Sequence, residues 1–162
     1  MGHYRLWWLI VFVVASMPYA LAGTHKLDRS GRVQRGRASY YAHHFDNRKM
    51  ANGHRFNPNS DVAASKTLPF GTTAKVTNLK NGRSALVTVE DRGPHIRGRV
   101  VDLTPKVANQ LKMKKVGVTP VVVAPVAVPQ VNGAVKLGAG AAGVSDQDVQ
   151  AAVESAQAAA GH

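Results

Sequence analysis

Cysteine is absent from all 162 residues of the sequence. Its absence excludes disulfide bonds, thiol chemistry and a cysteine on which a lipid anchor could be built. Acidic residues are scarce: 9 Asp and Glu stand against 21 Lys and Arg, which gives a formal net charge of +12. This imbalance favours an anionic partner, whether a nucleic acid, an acidic membrane surface or an acidic polymer.

A long apolar run is also lacking. The N-terminal apolar stretch, residues 6–15, is well short of the roughly 20 residues that span a bilayer. Arg5 precedes this stretch and Ala20-Leu21-Ala22 follows it as a small-x-small cleavage site, so residues 1–22 are predicted to be a signal peptide. We expect an exported protein of the periplasm or cell envelope, soluble after cleavage and without stable membrane insertion. Export also argues against nucleic acid as the partner.

The rest of the sequence divides into three parts by composition. Residues 23–35 are polar and basic and are predicted to be a flexible linker. Residues 36–128 contain short β-rich segments separated by Pro, Gly and Asn turns, which predicts the folded domain. Residues 129–162 are rich in Ala, Gly and Gln and are predicted to be a low-complexity tail, with a weak helix opened by Ser145 and Asp148.

Local signals within the folded part indicate a small closed β-barrel. Asn81-Gly82 is a favoured hairpin turn pair between two β-rich segments. Thr104-Pro105 predicts the start of a short helix that runs to about Lys112. The segment 118–128 is β-rich, and its two prolines suggest an edge strand or a bulge.

One carboxyl group is the main candidate for chemistry. Val87 and Val89 alternate with polar residues as in a strand, and Asp91 has the same parity as the two valines. Gly93-Pro94 breaks the strand, which places Asp91 partly buried at the mouth of a loop. Such a position suits a general acid. The alternative is a structural role, in which Asp91 caps the turn or pairs with a neighbouring arginine.

Two further groups of polar residues have weaker claims. His43, His44 and Asp46 lie close together in the sequence and could bind a metal with His54 as a further ligand. Their spacing matches no recognised metal motif, so surface positions are the favoured alternative. Asp102 is expected to be structural, with a bond to the backbone or to a nearby arginine.

Six short motifs follow one another between residue 36 and about residue 124. They are Gly36-Arg37-Ala38-Ser39-Tyr40-Tyr41, Met50-Ala51-Asn52-Gly53, residues 63–72, Val76-Thr77-Asn78-Leu79, Asn81-Gly82-Arg83-Ser84, and Asp91-Arg92-Gly93-Pro94 with residues 98–103. In this order they resemble the rare lipoprotein A (RlpA) family, the septal ring lytic transglycosylases. The resemblance implies a mainly β fold, a six-stranded double-psi β-barrel like that of expansins, with one or two short helices. It also implies peptidoglycan glycan strands as the substrate.

The resemblance implies cleavage between N-acetylmuramic acid and N-acetylglucosamine without water. An acid protonates the glycosidic oxygen while an oxocarbenium-like centre develops. The C6 hydroxyl of the muramic acid then closes on C1 and gives a 1,6-anhydro product. One acid that can return as a base suffices, and the resemblance assigns this role to Asp91.

Three positions depart from the pattern of the family. The resemblance places Glu at the position of His54, an acid at that of Asn57 and a histidine at that of Ser65. We expect these three side chains to line the cleft and bind substrate only. Side chains that could stack on a sugar or meet a carboxylate complete the expected site: Tyr41, Lys66 and Arg92.

The sequence leaves more than one function open. The first is an exported lytic transglycosylase, a lyase that leaves 1,6-anhydro ends, with Asp91 as general acid and base. The second is a non-catalytic, expansin-like module that binds peptidoglycan or glycan, which the altered positions 54 and 65 favour. A weaker third is an anion-binding structural protein of the envelope. We expect a monomer with no cofactor and no bound metal.

Overall fold

The computed structural model describes residues 26–160. The predicted signal peptide lies outside the described residues. The elements follow in this order: β1 Gln34–Tyr40, β2 Val62–Ser65, β3 Thr73–Asn78, β4 Ser84–Asp91, β5 Arg99–Leu103, α1 Pro105–Gln110, β6 Thr119–Pro129, β7 Val135–Leu137 and α2 Asp146–Ala160. Two short 3-10 turns, His43–Phe45 and Ala141–Gly143, complete the secondary structure of this range.

Six of these strands close into a barrel. The hydrogen-bonded order is β1-β5-β2-β4-β3-β6, and β6 pairs back onto β1, so the ring has no open edge. β1 pairs with β5 and β2 with β4 in parallel, whereas the other pairings are antiparallel. β7 adds to β6 outside the ring. The expected mainly β fold, a six-stranded double-psi barrel with two helices, is confirmed.

Apolar side chains of alternate strand residues fill the interior of the barrel. Val76, Val87 and Val89 are each at most 2% exposed, whereas the residues between them are more accessible. Burial of β-branched side chains on one face of each strand supplies the main driving force for closing the sheet, at about 25 cal/mol for each Å² of apolar surface. The period-two pattern of the sequence therefore sets which face turns inward.

The predicted turn and helix signals are present where expected. Gly82 has a φ of 72°, the left-handed conformation that a tight hairpin needs, and it joins β3 to β4. Thr104 caps α1, because its hydroxyl oxygen accepts the N–H of Val107 at 3.3 Å. The helix ends at Gln110, two residues before the expected end, because Lys112 has a left-handed φ of 53°.

β6 contains the bulge that its prolines suggest. Thr73 pairs with Ala127 and the next residue, Ala74, pairs with Pro125, so one residue of β6 is extra at this point. The strand is not an edge, since it pairs with β1, β3 and β7. Because β6 is 11 residues long, its successive segments can pair with different strands.

The N-terminal segment differs from the expectation of a free linker before residue 36. β1 already begins at Gln34, and the residues before it contact the barrel. The N–H of Asp28 donates to the carbonyl oxygen of Thr67 at 2.7 Å, and the guanidinium of Arg29 donates to the carbonyl oxygen of Pro129. Polar groups of the barrel loops therefore accept hydrogen bonds from this segment and hold it in place.

The C-terminal segment also differs from a low-complexity tail. α2 runs for 15 residues, and its start is capped as predicted, with the N–H of Asp148 donating to Ser145 Oγ at 3.2 Å. Ala152 and Ala156 lie one turn apart and are at most 2% exposed, packed in one cluster with Val126 of β6. Small side chains allow helix and strand to approach closely, so an alanine-rich sequence packs well here. No helix within residues 26–160 is long and apolar enough to cross a membrane.

Candidate active site

Asp91 is the last residue of β4 and lies where the chain leaves the barrel. Its half-buried carboxylate accepts three hydrogen bonds: from the hydroxyl of Tyr41 at 2.6 Å, from the N–H of Ala51 at 2.8 Å and from the N–H of Arg92 at 2.8 Å. An ionised carboxylate offers about four lone-pair sites. The group is thus fixed in position and keeps capacity to bond a ligand.

The arginine side chains near Asp91 bond elsewhere. Arg92 Nη1 donates to the carbonyl oxygens of Ser65 at 3.0 Å and Leu68 at 2.8 Å, and its guanidinium carbon lies 3.7 Å from the centroid of the Phe70 ring. Burial lowers the pKa of Arg92, and the charge of Asp91 partly opposes this. Within residues 26–160, Asp91 therefore caps the turn without an arginine ion pair, and Arg92 holds the β2–β3 connection.

Arg99, by contrast, forms an ion pair with a carboxylate, that of Asp102. Its Nη2 lies 2.7 Å from Asp102 Oδ1, and the hydroxyl of Ser39 also donates to that oxygen. Both contacts are structural, as the sequence suggested for Asp102. The Ser39 contact joins β1 to β5, which run in parallel at this point, whereas the Arg99 contact lies within β5.

Tyr41 continues from the end of β1 and positions Asp91. Its ring packs against Phe56, with 4.5 Å between the centroids, and edge-on against Phe45 at 5.5 Å. Burial, together with the hydrogen bond to Asp91, raises the pKa of Tyr41 well above its usual range. The hydroxyl therefore keeps its proton and acts as a fixed donor. The sequence predicted that Tyr41 binds substrate. In the structure aromatic neighbours cover its ring, and its hydroxyl holds Asp91 in place.

A turn over residues 50–54 lies against the end of β4. It is closed by the N–H of Met50, which donates to the carbonyl oxygen of His54 at 2.8 Å. Gly53 adopts a φ of 93°, which the tight reversal requires. Because Ala51 in the middle of this turn donates to Asp91, the predicted residue His54 lies on the same turn that orients the candidate acid.

Glu90 holds the other side of this turn, and the sequence analysis missed it. Its Oε2 accepts from Asn52 Nδ2 at 3.1 Å and lies 3.6 Å from Nδ1 of His54. Consecutive residues of β2, Ala63 and Ala64, pair with Val89 and Asp91, so Glu90 has no counterpart on β2. Such a bulge changes the direction of the side chains beside it. Both carboxylates, at positions 90 and 91, can therefore contact one turn.

The barrel region of the chain matches one known protein family. A family model described as lytic transglycolase matches residues 33–123, more than half of the chain. The chain belongs to this family.

Relatives named RlpA show the same similarity. The chain is 44% identical over 110 residues to a Synechocystis protein named "Probable endolytic peptidoglycan transglycosylase RlpA", a match that covers 65% of this chain and 34% of that protein. It is 46% identical over 98 residues to an Aquifex aeolicus protein of the same name, covering 60% and 43%. With a Campylobacter jejuni protein named "Endolytic peptidoglycan transglycosylase RlpA" the identity is 44% over 91 residues, covering 56% and 33%. The chain therefore spans less than half the length of these relatives.

Two solved structures are also similar. The Streptomyces papain inhibitor (SPI) aligns with a TM-score of 0.47 and 25% identity, covering 58% of this chain and 94% of that chain. The apo expansin of Clavibacter michiganensis aligns with a TM-score of 0.45 and 23% identity, covering 58% and 50%.

Ser65 differs from the expectation of a cleft-lining residue in this member of the family. Its side chain is 1% exposed, and Oγ accepts the N–H groups of Thr67 at 3.3 Å and Leu68 at 3.1 Å. These bonds satisfy backbone donors of the turn that follows β2. The hydroxyl is thus used within the fold and is closed off from a ligand.

Asn57 is exposed and Lys66 is half-exposed, and neither bonds to Asp91 in the described part of the chain. Asn57 Oδ1 accepts the N–H of Asn59 at 2.9 Å, which makes a local turn. Lys66 Nζ donates to the carbonyl oxygen of Ile96 at 3.3 Å and lines an open cavity of about 460 Å³. Three predicted site residues are thus connected to Asp91. Tyr41 bonds to it directly, and Arg92 bonds to it through its backbone N–H. His54 lies on the turn whose Ala51 bonds to it.

The histidines do not gather around a metal position. His43 Nδ1 lies 3.6 Å from Asp46 Oδ2, His44 packs on Phe45, and His54 turns to Glu90. In the part of the chain that the structure describes, no three His, Cys, Asp or Glu side chains form a group that could hold a metal ion.

Proposed function

We propose that this protein is a peptidoglycan lytic transglycosylase in which Asp91 is the general acid and base. One observation carries the proposal: a half-buried carboxylate at the end of a barrel strand, held by three donors and engaged by no arginine side chain of the described region. A carboxyl group held in this way can exchange a proton with a ligand without moving. The names of the relatives support the same activity.

In the proposed reaction Asp91 begins protonated and gives its proton to the glycosidic oxygen. The C1–O bond breaks, and positive charge develops on the muramic acid ring. Tyr41 and the N–H of Ala51 then stabilise the carboxylate that has formed. The C6 hydroxyl bonds to C1 and its proton returns to Asp91, so no water is consumed. General acid–base transfer of this kind contributes about 10²- to 10⁴-fold to a rate.

The charge of the chain supports an acidic glycan polymer as the substrate. Peptidoglycan carries carboxylates on its stem peptides, and a net charge of +12 attracts such a polymer over distances of about a Debye length. Lys66 and the exposed arginines beside the cavity, such as Arg35, are placed to meet these carboxylates. Nucleic acid, the other common anionic partner, is not part of this proposal.

We further propose that the protein is exported to the periplasm and acts there as a soluble monomer. The basic flank, the apolar stretch and the small-x-small site of residues 1–22 support export. The absence of cysteine from the sequence supports a form without a lipid anchor.

Binding without cleavage is the second candidate function. It is favoured by the burial of Ser65, since the residue at the position that the resemblance assigns to a histidine cannot reach a ligand. In that case the barrel would hold glycan strands as an expansin-like module.

One experiment separates the two functions. The purified protein is incubated with sacculi and with peptide-stripped glycan, and the products are identified by mass spectrometry. Cleavage predicts 1,6-anhydro ends that disappear in Asp91→Asn, which keeps the shape of the side chain but cannot carry the proton. Asp146→Asn, on the exposed first turn of α2, is the matched control and should stay active. Retention on sacculi with no soluble product would establish the binding module, and reducing ends would contradict the anhydro mechanism.

A further inference from the structure

The imidazole of His54 has two polar neighbours on the same side of its ring. Nδ1 lies 3.3 Å from Asn52 Nδ2 and 3.6 Å from Glu90 Oε2. The contacts of the ring among residues 26–160 all involve Nδ1, which leaves Nε2 available to a ligand. The side chain is 75% exposed, whereas that of Glu90 is 29% exposed. His54 is therefore an accessible ring whose inner nitrogen is held by the protein.

These neighbours favour the neutral tautomer that can act as a base. For Nε2 to accept a proton, the neutral ring must carry its hydrogen on Nδ1, and the carboxylate of Glu90 faces that atom at 3.6 Å. The same carboxylate stabilises the positive charge after Nε2 has gained its proton. The amide of Asn52 lies 3.3 Å from Nδ1 and donates to Glu90 at 3.1 Å, so it holds the carboxylate beside the ring.

The turn itself connects this pair to Asp91. Asn52 donates through its backbone N–H to the carbonyl oxygen of Glu90 at 3.3 Å, and its side-chain oxygen accepts the N–H of His54 at 3.0 Å. The preceding residue, Ala51, donates to Asp91. The charged side chain that faces the His54 ring among the described residues is Glu90 on β4, and Lys49 and Arg55 of its own hairpin are joined by a β-bridge. Asp91 and His54 thus both bond to the turn over residues 50–54.

We propose that His54 is a second catalytic residue of the proposed cleavage reaction and that Glu90 positions it. The inference rests on the proposed function and changes its second step. Asp91 gives its proton to the glycosidic oxygen, and the C1–O bond breaks. The C6 oxygen bonds to C1 and loses its proton to Nε2 of His54, while Nδ1–H faces Glu90. The imidazolium then loses a proton to solvent and Asp91 gains one, which restores the starting state without a net change.

Kinetics of three variants test this division of roles. His54→Gln should lower kcat about 100-fold with little change in KM, because it removes the base and keeps a polar side chain. Glu90→Gln should lower kcat about fivefold, the effect of losing a partly exposed charge partner. The double variant should be no slower than His54→Gln alone, because Glu90 acts only through His54. The matched controls His43→Gln, which is 94% exposed, and Glu154→Gln on α2 should retain full kcat.

The pH dependence of kcat distinguishes a catalytic role of His54 from a structural one, because a residue that only supports the fold would not change the shape of the pH profile. The native rate should fall on the acid side, because a protonated imidazole cannot accept the C6 proton, and on the alkaline side, because Asp91 must start protonated. His54→Gln should lose the acid-side fall and keep the alkaline one. If Asp91 alone served as acid and base, the two profiles would have the same shape, and the inference would be overturned.

Nitrogen-15 NMR of the His54 ring tests the pairing without any reaction. In the native protein the neutral ring should show a substantial fraction protonated at Nδ1, and Glu90→Gln should reduce this fraction while Glu154→Gln leaves it unchanged. An unchanged ring in Glu90→Gln would refute the positioning role. If native protein produces no anhydro ends, the proposed function fails and His54 loses its catalytic role with it. If native and His54→Gln proteins cleave equally, only the further inference fails.

Discussion

Replacement of Tyr41 by phenylalanine isolates the hydrogen bond that fixes Asp91. The change removes only the hydroxyl that donates at 2.6 Å, and it leaves the ring to pack on Phe45 and Phe56. A hydrogen bond to a charged group contributes about 1.5–3 kcal/mol when it is well formed, and the partial exposure of this site favours the lower end. If this bond stabilises the carboxylate that forms on proton transfer, kcat should fall about tenfold, since about 1.4 kcal/mol corresponds to a factor of 10.

The same substitution changes the pH dependence of stability. Burial raises the pKa of Tyr41 in the folded state, so the hydroxyl stays neutral there while the unfolded chain ionises near its ordinary pKa of about 10. The contribution of this group is thus complete below about pH 10 and is lost as the pH rises above it. From about pH 8 to about pH 11, the unfolding free energy of the native protein should fall by up to about 1.4 kcal/mol more than that of Tyr41→Phe.

Chemical denaturation at the two pH values and kinetics of anhydro product formation measure both effects. Tyr40→Phe is the matched control: the neighbouring tyrosine donates to the carbonyl oxygen of Lys114 at 3.2 Å and not to Asp91, so its loss should leave kcat unchanged. Equal kcat for Tyr41→Phe and native protein would refute the role given to this hydroxyl. If the unfolding free energy of native protein and of Tyr41→Phe fell equally between the two pH values, Tyr41 would have to ionise in the folded state.

The remaining predictions concern the packing around the site. Gly71→Ala should destabilise the protein by about 2–3 kcal/mol in denaturant titrations, because a Cβ there would overlap the side chain of Ala159 on α2 and φ is +77°. Gly82→Ala, with a similar φ but open space around it, should cost only about 1–2 kcal/mol, and an equal loss in both variants would contradict the contact with α2. Arg92→Lys should lower the unfolding free energy by about 1–2 kcal/mol, because lysine cannot bond two carbonyl oxygens in a plane and stack on Phe70; an unchanged midpoint in thermal melts would count against this role.

The barrel could be predicted because its signals are local. Alternating valines define the inward face of β4, the Asn81-Gly82 pair fixes the hairpin, and Thr104 caps α1. Each of these depends on a few consecutive residues. The packed state of the C-terminal segment could not be predicted in this way, since alanines such as Ala156 carry little apolar periodicity. They are buried because they pack against residues of β6, which are distant in the sequence.

The site was predictable at Asp91 and less so around it. The parity of the strand and the break at Gly93-Pro94 were enough to place the carboxyl group at a loop mouth. The pairing of Glu90 with His54 joins residues 36 positions apart, and no spacing rule relates them. Ser65 was predicted to line the cleft from its position in a motif. Its hydroxyl instead accepts hydrogen bonds from two backbone N–H groups, and the sequence alone does not show that the turn brings them there.

The bulge at Glu90 explains how two consecutive residues of one strand can serve one turn. In a regular strand the side chains of residues 90 and 91 would point to opposite faces, and only one could meet the turn over residues 50–54. The pairing of Val89 and Asp91 with consecutive residues of β2 removes that constraint. A glutamate at the extra position then receives the amide of Asn52 and faces His54. The bulge thus brings a carboxylate to within 3.6 Å of His54, the position at which the resemblance expects a glutamate, and this contact is the basis of the role proposed for His54.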